Sequence, residues 1–202
     1  MSARPGPSPF PGGSHPTLVV IGASAGGVAA LGEILPALPQ GFTLPVVVVV
    51  HLPSSRQSLM ADLFDRKCAL PVAEAYDKAP IDPGRIYFSP PDYHLMIESD
   101  FTFALSVDEA VNHSRPSIDV LLESAAASLG EGVLAIILTG TNNDGARGLK
   151  AVRAAGGIGW VQSPDTAQAP MMPRSAIEAG GADAILTLAQ IAGNLARLGV
   201  PR

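Results

Sequence analysis

The sequence predicts an α/β fold: a modified doubly wound, mostly parallel sheet with helices on both faces and an antiparallel hairpin insertion. Three observations predict it. Short apolar, β-branched runs alternate with segments of helical periodicity. The runs show no polar–apolar alternation, which is the pattern of strands covered on both faces. One stretch, about 71–107, breaks the rhythm and reads as successive strands. Repeated βαβ units build a parallel sheet, and the stretch of strands inserts a hairpin into it.

Residues 1–16 read as a Pro-, Gly- and Ser-rich tail whose only large apolar residue is Phe10. Such a segment buries too little to offset its ordering entropy. The domain proper spans 17–202. Leu18 to Ile21 is a buried strand ending in glycine. Val28, Leu31, Ile34 and Leu35 have helical spacing and predict a helix over 27–37. Val46 to Val50 is a second buried strand, and 57–67 a second helix. Residues 85–88, 94–98 and 101–106 read as strands, with Glu98 to Phe101 as the turn of an antiparallel hairpin. A helix follows over 117–129, with Pro116 suited to its first turn. Residues 134–138 form a strand, and 144–155 a helix stopped by Gly156-Gly157. Then come a strand at 158–161, a helix at 173–179 closed by Gly180-Gly181, a strand at 184–186 and a helix at 189–198.

Size and composition narrow the function. A chain of 202 residues fits one domain, which buries about 70% of its unfolded surface without staples. Charged residues make up 15%, against about 25% in ordinary domains, and the formal charge is -5. That balance argues against nucleic acid, whose phosphates need a basic face. Cys68 is the single cysteine, so neither a disulfide framework nor a multi-cysteine zinc site is available, and it reads as a packing residue. The histidines lack ligand-like spacing with acids, and no cofactor or metal is expected. No signal peptide or spanning segment is evident; the longest β-branched run, Val46 to Val50, is far too short. A soluble, cytoplasmic protein is the expectation.

In a parallel sheet, ligands bind beyond the carboxyl ends of the strands. Three segments sit there. Gly22-Ala23-Ser24-Ala25-Gly26 is a G-x-S-x-G turn between strand and helix. It lifts a serine above the sheet and aims backbone N–H groups at a developing oxyanion. His51 directly follows the second strand, and Asp144 follows the 134–138 strand. A serine hydroxyl is a weak nucleophile and needs a base; the base needs a carboxylate to orient it. Ser24, His51 and Asp144 from three strand ends meet that requirement. Taken singly, each has an ordinary explanation: a tight turn, a structural histidine, a helix cap. A dinucleotide loop would want a second glycine where Ser24 stands and an acid where His51 stands. The order Ser, His, Asp also differs from the lipase-type order of Ser, acid, His.

Further segments carry a resemblance: IGASAGG at 21–27, HLP at 51–53, IYFSPPDYHL at 86–95, RPSIDVLLESAA at 115–126, ILTGTNNDGARG at 137–148, MPRSAI at 172–177 and GGADAIL at 180–186. Together they resemble the catalytic domain of the chemotaxis protein-glutamate methylesterases, the CheB type, over 17–198. The resemblance implies a serine hydrolase that removes methyl groups from glutamate methyl esters of cytoplasmic chemoreceptor domains, releasing methanol, and that in many relatives deamidates receptor glutamines. It places the nucleophile on Ser24, the base on His51 and the acid on Asp144. Backbone N–H groups around Ala25 and Gly26, and of the 140–142 loop with Thr141 and Asn142, are the expected oxyanion and substrate wall. Arg115 faces either the acidic receptor or plain solvent, and His94 and His113 read as structural or exposed.

The chain also departs from the family. Thr141-Asn142 replace the usual Met-Gly, and Val50 replaces the glutamine common before the histidine. The usual N-terminal phosphorylation-receiver domain is not in the sequence, so regulation by a separate receiver-domain protein is an expectation, as is a monomer. Two other readings stand beside the first. One is an esterase of altered specificity on the same scaffold. The other is a stand-alone signalling module that binds without chemistry.

Overall fold

A computed structural model describes residues 15–52 and 59–198. The expected tail at 1–16 falls almost wholly outside them, as do the first residues of the predicted 57–67 helix. Among the described residues, nine strands and six α-helices follow in the order β1 (Leu18–Ala23), α1 (Gly27–Ile34), β2 (Val46–Val50), α2 (Met60–Asp65), β3 (Val72–Glu74), β4 (Ile86–Phe88), β5 (His94–Ile97), β6 (Phe103–Ser106), α3 (Ile118–Leu129), β7 (Val133–Ile137), α4 (Ala146–Ala154), β8 (Ile158–Gln162), α5 (Met171–Glu178), β9 (Ala184–Leu186) and α6 (Leu188–Leu198). Seven strands form one sheet in the order β3-β4-β2-β1-β7-β8-β9, and each neighbouring pair is parallel. β5 and β6 pair antiparallel as a separate hairpin. This is the predicted architecture.

Side chains on a strand alternate between its faces, and the core divides accordingly. Val19, Ile21, Val46 and Val48 face one side, where Leu31 and Ile34 of α1, Phe64 of α2 and Leu195 of α6 meet them. Leu18, Val20, Val47 and Val49 face the other, under Leu121 of α3, Leu149 of α4, Met172 of α5 and Phe103 of the hairpin. All five valines of β2 are buried, which accounts for the missing polar positions in the run. Each large aliphatic side chain fully buried this way contributes about 1.5–3 kcal/mol.

The structure corrects the expectation at several places. β3 is an addition to the expected strands. It has three residues, none fully buried, at the sheet edge after Pro71, too short and too exposed to print a hydrophobic pattern. β4 belongs to the main sheet and not to the insertion. Pro116 precedes the cap of α3 and lies outside its first turn, because Ser117 is the N-cap and its hydroxyl accepts from the Val120 N–H. α4 begins at Ala146, not Asp144; Gly145 occupies the cap in a left-handed conformation. α5 starts at Met171, two residues early. The hairpin turn is as expected: the Phe101 N–H donates to the Glu98 carbonyl at 3.1 Å. Cys68 packs against the first core face, and burial, with Asp65 nearby, pushes its thiol up to about 11. A thiol held protonated is a poor nucleophile, as the packing reading requires. No helix among the described residues is long and apolar enough to cross a membrane.

Two features of the topology shape the functional face. β1 is central, and the chain leaves it in opposite directions, to β2 on one side and β7 on the other. The crevice above such a switch point is the ligand position of a doubly wound sheet. The hairpin, meanwhile, is moored to α3: the Ile97 N–H donates to Ser124 Oγ at 3.0 Å, and Ser128 Oγ donates to the Ile97 carbonyl at 2.8 Å.

Candidate active site

The crevice brings the three predicted residues to one rim. β1 and β2 run in register, with Ala23 opposite Val50, so Ser24 and His51 leave adjacent strand ends. Backbone bonds hold both: the His51 N–H donates to the Ala23 carbonyl at 3.0 Å, and the Ser24 N–H to the Thr139 carbonyl, past the end of β7, at 2.9 Å. Ser24 is half-buried at the mouth. Beside it, Gly140 leaves no room for a side chain. A Cβ there would come within 2.9 Å of Ser24 Cβ and 2.6 Å of Met172 Sδ. The turn after the serine needs glycine for a second reason. Gly26 has a φ of 80°, left-handed backbone that L side chains rarely adopt, and it caps α1.

His51 Nε2 donates to Asp144 Oδ2 at 3.0 Å. In the serine-protease template the histidine meets its carboxylate through Nδ1 and faces the serine with Nε2. Here the ring is used the other way round. With Nε2–H committed to Asp144, Nδ1 is the nitrogen left with a lone pair.

Asp144 is fully buried. A buried carboxylate is tolerated only when it is paired and hydrogen-bonded. The supports come mainly from α3, not from the helix that follows Asp144 in the chain. The N–H groups of Ile118 and Asp119 donate to it at 2.7 and 3.1 Å. Ser117 Oγ adds a bond at 2.8 Å and Asn112 Nδ2 one at 2.9 Å. The helix N-terminus is the natural seat of an anion, since its first N–H groups have no intrahelical partner. Burial pushes the Asp144 carboxyl upward, but the bonds from His51, Asn112, Ile118 and Asp119 outweigh it and hold the group below its ordinary value. Asp144 therefore stays charged opposite His51.

The other residues fall into place unequally. The Gly140 N–H donates to the Ala169 carbonyl at 2.9 Å and is not free for an oxyanion. The N–H groups of Ala25 and Gly26, and those of Thr141 and Asn142, take no acceptor among the described residues. Asn142 Oδ1 accepts from the Asp144 N–H at 3.2 Å, so its side chain shapes the loop. Thr141 is exposed. Arg115 is exposed, and its Nη1 donates to the carbonyls of Val107 and Asp108 at 2.8 and 3.0 Å, closing the loop after β6. His94 is buried and structural: its Nδ1 accepts from the Ser117 N–H at 3.2 Å and its Nε2 donates to the Glu109 carbonyl at 3.0 Å. No cluster of His, Cys, Asp and Glu among the described residues is arranged to hold a metal.

Sequence reasoning misses Asn112, Ser117, Asp119, Thr139 and Gln162 as site residues. Thr139 Oγ1 donates to the Ala25 carbonyl at 2.8 Å and accepts from the Ala169 N–H at 2.9 Å, while Gln162 Oε1 takes the Thr139 N–H at 2.9 Å. Together they fix the turn after Ser24 to the neighbouring strands. Ser117 ahead of an apolar helix is legible as a cap. The rest carry no local signal.

Comparison with known proteins decides the family. The CheB methylesterase family model matches residues 19–195. The chain belongs to the CheB methylesterase family. A CheB relative from Leptospira interrogans, provisionally named a protein-glutamate methylesterase/protein-glutamine glutaminase, is 46% identical over 180 residues, covering 89% of this chain and 93% of its own. One from Pseudomonas aeruginosa, a protein-glutamate methylesterase/protein-glutamine glutaminase, is 39% identical over 181 residues but is matched over only 52% of its length. The crystal structure of the Thermotoga maritima CheB methylesterase catalytic domain superimposes with a TM-score of 0.86 at 35% identity, covering 91% of this chain and 98% of that one. The α/β sheet and hairpin described above are thus the CheB catalytic fold.

Proposed function

We propose that this protein is a serine hydrolase that removes methyl groups from glutamate methyl esters of chemoreceptor cytoplasmic domains, and that the same site deamidates receptor glutamines. The observation that carries the reading is the buried, hydrogen-bonded Asp144 facing His51 beside Ser24 at the switch point of a CheB methylesterase fold. Ser24 Oγ attacks the ester carbonyl carbon while His51 Nδ1 takes its proton. The tetrahedral intermediate's oxyanion lies against the N–H groups of the 25–26 turn, with those of Thr141 and Asn142 opposite. As the C–O bond to the leaving group breaks, His51 returns the proton, and methanol departs. Water then repeats the sequence on the acyl-enzyme and releases free glutamate and Ser24. Asp144 holds the ring with Nε2 protonated and supports the imidazolium. A positioned base of this kind is worth about 10²–10⁴-fold in rate. Substrate and enzyme meet in the cytoplasm, the protein acts as a monomer, and a separate receiver-domain protein governs it.

Methanol release from methylated chemoreceptor membranes tests the reading. Release by the wild type that vanishes in Ser24→Ala supports it. A folded wild type that binds receptor and releases no methanol refutes it in favour of a binding module. Release only from small esters points to altered specificity, with Thr141 and Asn142 the first positions to exchange.

A further inference from the structure

The geometry points to Asn112 as a positioning residue that keeps the Asp144 carboxylate ionised and aimed at His51 by separating it from a second buried carboxylate, Asp119. Asn112 and His113 form the two-residue turn of a tight hairpin closed by Val111 and Ser114, which exchange N–H···O bonds of 3.1 and 2.9 Å. Both turn residues have left-handed φ, 51° and 61°. Asparagine tolerates that conformation better than most residues. The turn carries the side chain inward, and its one amide nitrogen donates twice: to Asp144 Oδ1 at 2.9 Å and to Asp119 Oδ2 at 2.9 Å.

The groups around the two acids determine what this double bond does. Asp144 Oδ1 receives Asn112, Ser117 Oγ and the Asp119 N–H, whereas Oδ2 receives only His51 and the Ile118 N–H. Loading Oδ1 this heavily fixes the carboxylate plane and leaves Oδ2 to the histidine and the Ile118 N–H. Asp119 Oδ1 accepts the Gly148 N–H at 2.7 Å. Among the described residues, the cation within ion-pair reach of Asp119 is Arg147, whose Nε stands 3.9 Å from Oδ2 and is itself engaged by Glu123. His94 faces the group only through the Ser117 N–H. Two like charges this close repel unless donors separate them. Burial, and after it the Asp144 charge, pushes the Asp119 carboxyl up, against the bonds from Gly148 and Asn112 that lower it. Without Asn112, Asp144 loses a donor and faces Asp119 unshielded. The lost donor favours protonating Asp144, the lost shielding favours placing a proton on the pair, and an Asp144 that is protonated no longer supports an imidazolium.

The inference rests on the Ser24–His51–Asp144 reading, so its test uses a readout that does not depend on turnover. Asn112→Gly keeps the left-handed turn and removes the amide. The Asp144 carboxyl ¹³C resonance, assigned by its loss in Asp144→Asn, is titrated in wild type and variant. The expected result is a midpoint about one pH unit higher in Asn112→Gly, the size of one charge-assisted bond. Alongside, a fluorophosphonate probe reports Ser24, forming the Oγ–P bond with loss of fluoride as His51 takes the proton. The labelling advantage over Asp144→Asn is kept at pH 7, where Asp144 is ionised in wild type and Asn112→Gly alike, and on acidification is lost about one pH unit earlier in Asn112→Gly. Adding Asp119→Asn to Asn112→Gly removes the opposing charge and returns part of both shifts, which a purely structural turn residue would not show. If Asn112→Gly does not fold, Asn112→Asp preserves size and turn and displaces the midpoint further. An unmoved Asp144 midpoint, or labelling slowed equally at every pH, overturns the inference. A shifted midpoint with no Ser24 labelling in the wild type upholds the role of Asn112 and refutes the hydrolase reading instead.

Discussion

At the scale of the residue, the proposed chemistry rests on a few bonds whose removal has predictable effects. Asp144→Asn leaves the shape of the site but supplies an amide whose N–H can meet His51, which favours the wrong tautomer. By comparison with the corresponding change in a serine-protease triad, kcat is expected to fall about 10⁴-fold with KM little changed. Steady-state methanol release over a substrate series measures both. Gly140→Ala drives a methyl group against Ser24 Cβ and Met172 Sδ. Displacing a nucleophile by about 1 Å costs on the order of 10²-fold, and the loss is expected in kcat, with a normal circular dichroism spectrum. The identities of Ser24, His51 and Asp144 are legible in the sequence because each follows a buried strand. The partners of Asp144 are not. Asn112 lies 32 positions away in a loop whose composition announces nothing, and it reaches the acid only because a two-residue turn folds it back.

At the scale of the element, α3 does the work that the sequence pattern assigns to α4. Read along the chain, Asp144 resembles a cap for the helix that comes after it. Instead it serves the N-terminus of a helix 26 positions earlier, at the Ile118 N–H. The physical reason is packing. α3 and α4 lie side by side over the same face of the sheet, and the Gly148 N–H of α4 reciprocates by donating to Asp119 of α3. Ser117 both caps α3 and donates to Asp144. Ser117→Ala is expected to cost about 1 kcal/mol from the cap alone, lowering Tm by roughly 2–4 °C in a domain of this size. Differential scanning calorimetry reads that loss, and a fall in activity beyond it measures the Asp144 bond. Strand positions are predictable wherever the run is long and buried, as in β2. They are not predictable at β3, whose three residues show no period.

At the scale of the whole molecule, the two core faces set stability and the buried acids set its pH dependence. Ile136 is fully buried on central β7, and Ile136→Ala is expected to cost about 2–5 kcal/mol in urea unfolding, with the spread set by how far the site collapses. Asp144 has its carboxyl held below the ordinary value in the folded state. Its contribution is therefore present above the unfolded value, about 3.9, and is lost as pH falls through the folded one. The stability gap between wild type and Asp144→Asn is expected to be largest near neutrality and to close below about pH 4. Asp119 works in the opposite sense. Its carboxyl is pushed up, so its ionised form weakens the fold at neutral pH and protonation relieves it. For that reason the comparison with Asp144→Asn, and not the wild-type profile alone, isolates the Asp144 contribution.

The sequence by itself determined the fold class, the central strands and the placement of Ser24, His51 and Asp144 beyond strand ends. These are written in local patterns: β-branched runs, helical spacing and a serine in a glycine-bounded turn. The sense in which His51 presents its ring, the helix that holds Asp144, the loss of the Gly140 N–H to Ala169 and the pairing of Asp119 with Asp144 through Asn112 were decided only by the tertiary structure. Hydrophobic periodicity is a property of neighbours in the chain, and it records burial. The environment of a buried charge is a sum over donors that arrive from distant segments, and each bond exists only once packing has brought its two ends together.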